Sequence, residues 1–151
     1  LAERCGEPVD EARLLRLCLF HDLPEARTGD QNYVNRRYVQ VDDAHVRADI
    51  AAASPLGPAL VAAITEFEEG DSLEAQLARD ADQLEMLALL REEEELGNAR
   101  AKEWQPSCLQ RLHTDAAKAV AEEMLATPTD DWWFHDKEDR HWVNGGKEER
   151  E

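Results

Sequence analysis

Residues 73–96, LEAQLARDADQLEMLALLREEEEL, carry apolar side chains at helical spacing from end to end. Leu73, Leu77, Leu84 and Leu87 fall on one stripe with Met86, Leu89 and Leu90 beside it, so the segment reads as a core helix. Two aspartates interrupt it. Asp80 lies close to the leucine stripe, whereas Asp82 shares a face with Ala75, Ala78, Met86 and Leu89. A carboxylate on a core-facing helix is costly to bury unless it is paired or bound to metal. For either acid taken alone, the plainer reading is a partly exposed residue on the helix edge.

Outward from this helix the periodicity stays helical. Towards the N-terminus, Gly70-Asp71-Ser72 ends one helix and caps the next, and Ser54-Pro55, with proline at a first helical position, opens that helix through about Glu69. Asp42 caps another through about Ala53. A polar segment from Ala26 to Val41 contains Gly29 and reads as a loop or broken helix. Before it, Leu14, Leu15, Leu17, Cys18, Leu19 and Phe20 make an apolar helix from an Asp10 cap to His21-Asp22, where Pro24 limits its continuation. Towards the C-terminus, Gly97-Asn98 supplies a stop, and Pro106 to about Leu125 reads as one amphipathic helix. Strand-like alternation is confined to Tyr38–Val41, too short to build a sheet. The fold class is therefore all-α, a compact bundle of about five or six helices. The tail from Thr127 is acidic and rich in tryptophan, and its last residues are expected to be mobile.

With 151 residues the chain has the length of one domain, enough to bury roughly two-thirds of its unfolded surface. A net charge of −17 and a pI near 4.6 argue against a nucleic-acid polymer as partner. They do not exclude a small phosphorylated substrate, because a divalent cation and a few arginines can reverse the field inside one pocket. Cys5, Cys18 and Cys108 are odd in number and lack any CxxC spacing, which fits a reducing, cytoplasmic setting rather than a disulfide framework. No apolar run reaches the ~20 residues needed to cross a bilayer, so no membrane partner is expected. The chain starts at Leu1 rather than at methionine, which raises the possibility of a missing N-terminal piece.

Chemistry concentrates at residues 20–30, FHDLPEARTGD. Imidazole nitrogen beside carboxylate oxygen suits borderline divalent metals such as Mn, Co, Fe, Ni or Zn. Adjacent helical residues point about 100° apart, so His21 and Asp22 can share an ion only where the helix ends, and Pro24 favours that. Further ligands must come from elsewhere in the chain.

An apolar helix ending in HDLPEARTGD, followed some sixty residues later by ARDADQLEM, resembles the HD-domain metal-dependent phosphohydrolases, nearest to the 5'-deoxynucleotidase and HD-domain-containing protein 2 branch. The resemblance covers roughly Leu1 to Leu125, and the organisation expected is an HD-type domain over residues 1–126 followed by a tail over 127–151. It implies His21, Asp22 and Asp82 as ligands of one divalent transition metal ion, with Glu25 and Asp30 handling water or substrate. It also implies a further histidine from the helix preceding the HD helix. The sequence begins too late to contain that residue, and Leu1–Cys5 looks like the end of that helix, so the bundle is expected to lack its first helix. His45 and His113 have no family counterpart and read as stray surface histidines.

Arg27, Arg36 and Arg37 follow the motif in a chain with 13 arginines against 4 lysines. Each is a candidate phosphate contact, with salt bridges to the many acids as the plain alternative. No glycine-rich phosphate cradle is present. His135-Asp136 repeats the dipeptide without an apolar helix before it, and is set aside as a metal site together with His141. Trp132, Trp133 and Trp142 are expected to pack back over the domain or a partner subunit, and a homodimer is expected. The function read from these features is hydrolysis of a deoxynucleoside 5'-monophosphate to nucleoside and phosphate. The alternatives are an HD hydrolase of a nucleotide pyrophosphate or cyclic nucleotide, and a non-catalytic helical module that binds metal or nucleotide.

Overall fold

The computed structural model describes residues 1–139 and 141–145. In chain order its helices are α1 (Glu11–Phe20), α2 (Glu25–Thr28), α3 (Asp43–Ala53), α4 (Gly57–Glu69), α5 (Leu73–Glu95), α6 (Ala101–Leu109), α7 (Asp115–Ala126), α8 (Asp131–Phe134) and α9 (His141–Asn144). Turns of 3-10 helix cover Ala2–Arg4 and Asn35–Arg37, and the described residues include no strand. The all-α expectation holds. Six helices have nine residues or more, and α2, α8 and α9 are single turns of four.

Local chemistry explains most of the boundaries. Asp10, Asp42 and Ser72 accept from the backbone N–H three residues on, at 3.0, 3.0 and 3.1 Å, and each such cap contributes about 1 kcal/mol. One start is displaced: α4 begins at Gly57 with Pro58 in its first turn, not at Pro55. A Cβ on Gly57 would lie 2.3 Å from the Ala51 carbonyl oxygen and 2.4 Å from that of Ile50. Only glycine lets α4 set off that close to the end of α3.

The single helix expected from Pro106 to Leu125 is two helices. Pro106 lies inside α6, which starts at Ala101, and the chain breaks between Leu109 and Asp115. The cause is Asp80, whose side chain is fully buried. Its Oδ1 accepts from the His113 N–H at 2.7 Å and faces His113 Nδ1 at 3.1 Å. Its Oδ2 accepts from the Thr114 N–H at 2.8 Å and from Thr114 Oγ1 at 2.7 Å. A continuous helix would give those two N–H groups to carbonyls four residues back; the buried carboxylate takes them instead. Thr114, held there, caps α7 through the Ala117 N–H at 3.2 Å. Asp80 is therefore no partly exposed edge residue, and His113, at the surface as expected, is tied to it through its backbone N–H.

Helix α5, ~34 Å long at 1.5 Å per residue, packs against α1, α4, α6 and α7. Its first half joins a cluster of Leu17, Ala63, Ala75 and Ala78, with Phe67 against it. Its second half joins Leu84, Leu87 and Leu90 to Ala101, Cys108, Leu112, Ala117 and Ala121 of α6, α7 and the turn between them. Val46, Ile50 and Ile64 tie α3 to α4. The buried stripe is narrower than its sequence promised, because Met86 and Leu89 are exposed. Between the two clusters, residues 80–83 form a polar waist.

Cys5, Cys18 and Cys108 are free thiols, and no helix among the described residues is long and apolar enough to cross a membrane. Near the start of the tail, the Thr129 N–H donates to Glu95 at 3.1 Å. The tail's rings pack on one another, with Trp142 centred 5.4 Å from Trp133 and 5.0 Å from Phe134. Trp132 stays 83% exposed, so of the two expected coverings, the domain or a partner subunit, the domain does not supply one for this ring. The mobile end expected for the last residues, 146–151, lies outside the described residues.

Replacing Asp80 by asparagine turns an NH2 donor towards groups that already donate, and should lower the free energy of unfolding by about 1–3 kcal/mol. Asp82→Asn, on a half-exposed side chain, should change it by less than about 1 kcal/mol. Urea unfolding followed by circular dichroism measures both; equal losses would remove the distinction between the two acids.

Candidate metal centre

His21 sits at the C-cap of α1, its N–H still bonded to Leu17 O at 3.1 Å. The chain then tightens: the Leu23 N–H reaches Phe20 O at 3.1 Å and the Glu25 N–H reaches Asp22 O at 2.9 Å, so Pro24 can open α2. This is the loosening of the helix end that allows adjacent side chains to converge. Asp22 Oδ2 lies 3.0 Å from His21 Nε2, and Asp82 Oδ1, arriving from α5, lies 3.7 Å from the same atom.

The imidazole is held from two further sides. Its Nδ1 lies 2.9 Å from Cys18 O. A carbonyl oxygen only accepts, so Nδ1 carries a proton and the neutral ring keeps its lone pair on Nε2. Phe67 of α4 stacks on the ring at 4.4 Å between centroids and 32° between planes. Nε2 itself is buried without a hydrogen bond: Asp82 stands beyond hydrogen-bond distance at 3.7 Å, and Asp22, near enough at 3.0 Å, lies off the direction along which the nitrogen bonds.

That arrangement fits a divalent cation in its donor chemistry. Ligands of a common ion stand side by side, about 3.0–3.4 Å apart for metal–ligand bonds near 2.1 Å, and do not point at one another. The spacing of Asp22 from Nε2 falls in this range and that of Asp82 lies just beyond it. An Nδ1–H bound to a backbone carbonyl is the usual support of a metal-binding histidine. As the side chains stand, no group of three or more His, Cys, Asp or Glu among the described residues closes around one point.

The electrostatics point the same way. Asp82 first, and Asp22 after it, hold the His21 imidazole above its ordinary pKa against the opposing effect of burial. His21 in turn holds the Asp82 carboxyl below its usual range, with Gln83 and Arg111 assisting. The field that retains a proton on Nε2 is the field that would retain a cation. Glu25 is pushed up by burial and by the charges of Asp22 and Asp30, with Arg36 and His21 opposing.

The remaining sequence candidates divide. Glu25, Asp30 and Arg36 share the neighbourhood of His21 and Asp22, and Arg36 Nε donates to Gln31 O at 2.8 Å. Arg27 instead faces Asp49 of α3 at 3.8 Å, the salt-bridge alternative, and Arg37 is exposed in the 3-10 turn. His45, largely exposed, faces the same Asp49 at 3.8 Å. His135 is exposed in the tail.

Two partners of the site escaped the sequence reading. Phe67 had no visible cue. Arg111 was hidden by the expected continuous helix, although Thr114-Asp115 is a recognisable cap that would have ended it. Arg111 Nη1 lies 3.5 Å from Gln83 Oε1, its guanidinium carbon is 5.3 Å from the Tyr33 ring centre, and Nη2 donates to the Tyr33 hydroxyl.

No curated protein and no solved structure matches the chain. A family model described as HD domain matches residues 1–124. With most of its length matched and a histidine–aspartate pair set against a third carboxylate, the chain belongs to the HD domain family, as a class metal-dependent phosphohydrolases.

Proposed function

We propose that the protein is a 5'-deoxynucleotidase of the HD family, hydrolysing deoxynucleoside 5'-monophosphates to nucleoside and phosphate. The observation that carries the reading is the buried Nε2 of His21, without a hydrogen bond and flanked by the carboxylates of Asp22 and Asp82. These three residues would hold the ion. A divalent cation supplies Lewis acidity towards a phosphoryl oxygen and lowers the pKa of water bound to it.

The chain's own residues supply the rest. Cys18 O and Phe67 fix the imidazole, so binding requires no reorientation of the ring. Glu25, three residues beyond Asp22 and raised above the ordinary carboxyl pKa, is the group to take a proton from the attacking water at its carboxylate oxygen. Asp30 keeps Glu25 basic by its charge and can share the water. Arg36 supplies positive charge beside these acids, whereas Arg27, directed at Asp49, would have to leave that pairing to contact phosphate. A homodimer is proposed as the assembly, supported by the exposed Leu15 and Leu19 on α1.

Elemental analysis of the purified protein should find a divalent transition metal. Asp82→Asn should lose it at least tenfold, while Asp80→Asn retains it per folded molecule, as expected for a ligand and a structural acid. Equal metal content in Asp82→Asn and the parent would reject Asp82 as a ligand. Glu25→Gln should keep its metal and its melting temperature and lose turnover by ~10²-fold, the scale of a lost general base. Phosphate release from deoxynucleoside monophosphates reads this directly, and an unchanged rate would move the role to Asp30.

A further inference from the structure

Asp82 belongs to two sites at once. One face of its carboxylate meets His21, and the same residue forms the end wall of a cavity of about 340 Å³ between α5 and α6, within the ~300–1,000 Å³ of small-molecule sites. Along α5 the wall runs Asp82, Gln83, Met86, Leu90, a rise of ~12 Å at 1.5 Å per residue. On the facing side, α6 returns antiparallel after a short connection, and the wall runs from Arg111, on the turn that follows α6, back through Cys108, Ser107 and Trp104. The 3.5 Å contact between Arg111 and Gln83 fixes which ends coincide. Arg111 and Asp82 therefore share the end next to the metal centre. Trp104, Met86 and Leu90, with Glu103 beside the indole, form the other.

The cleft is thus graded. Its inner end offers a guanidinium already oriented by Gln83 and the Tyr33 ring, suited to a phosphate oxygen. Its outer end offers an apolar floor and an indole that is 62% exposed at the lip. A large aromatic surface left open beside an apolar floor is suited to a planar ring laid against it.

Resting on the function proposed above, we infer that this cleft seats the substrate lengthwise. Arg111 engages the phosphate and Trp104 stacks on a planar base, which makes Trp104 the residue that selects nucleotides over phosphate esters without a ring. The site takes a phosphomonoester whose ester oxygen and aromatic group are separated by about the length of a sugar.

The two products probe the two ends without turnover. Calorimetric titration of the metal-containing protein as purified should show Trp104→Ala weakening deoxyadenosine about tenfold, the lower range of a lost base stack. Arg111→Gln should weaken inorganic phosphate by a similar factor, with Arg111→Lys recovering part of the loss. Trp132→Ala, in the tail, should do neither. In turnover, Trp104→Ala should lower the ratio of kcat/KM for deoxyadenosine monophosphate to that for deoxyribose 5-phosphate about tenfold. The inference falls if Trp104→Ala leaves both the deoxyadenosine affinity and this ratio at parental values, or if the parent binds neither product. A parent that binds deoxyadenosine through Trp104 yet releases no phosphate from any ester would leave the cleft standing and remove the nucleotidase reading.

Discussion

A carboxylate with no exposure to water must find donors for both of its oxygens, and Asp80 finds four among two consecutive residues, His113 and Thr114. An acid left unpaired in that position would cost far more than any single contact in the bundle contributes. Much of the C-terminal half follows from this requirement. The chain has to stop being helical after Leu109, Thr114 has to present its hydroxyl as a cap, and α7 has to depart from the middle of α5. Arg111, on the resulting turn, is thereby delivered beside Gln83 and Tyr33.

A second set of constraints places the histidine. The Asp10 N–H donates to Glu74 at 2.9 Å, and Arg13 pairs with Glu66 at 2.8 Å and faces Glu74 at 3.6 Å. The start of α1 is thus clamped to α4 and α5 at one end. Leu17, packed with Ala63, Ala75 and Ala78, holds its middle. With those points fixed, the far end of α1 arrives beside Asp82, and Phe67 of α4 meets the imidazole face. The apolar contacts position the helices, while the polar waist of α5 does the chemistry between them.

The legible parts of the sequence were those governed by local rules. Caps at Asp10, Asp42 and Ser72 and the long periodic helix depend on residues within one or two turns, and they stand where they were expected. The distinction between Asp80 and Asp82 was only half visible. Their two-residue separation puts them on different faces, but the reason one is buried lies more than thirty residues away at Thr114. The split of α6 from α7 failed for the same cause, since a proline inside a helix and a break without glycine both depend on tertiary hydrogen bonds. At the metal centre, HD and the distant aspartate were readable as a pair of motifs. Phe67 and Arg111 were not, because stacking and long-range cation placement leave no periodic trace.

Because Asp80 and Asp82 lie within one turn of the same helix, the anchorage of α7 and the candidate ligand set share a mechanical support. Local opening of α7 would strip the donors from a buried charge, and α5 could relieve that charge only by fraying around residues 80–82. In hydrogen-exchange terms, the amides of His113 and Thr114 would open together with that turn of α5 as one cooperative unit. Fluctuations at the far C-terminal side of the bundle are in this way transmitted to Asp82 through a single side chain, with no change required at His21.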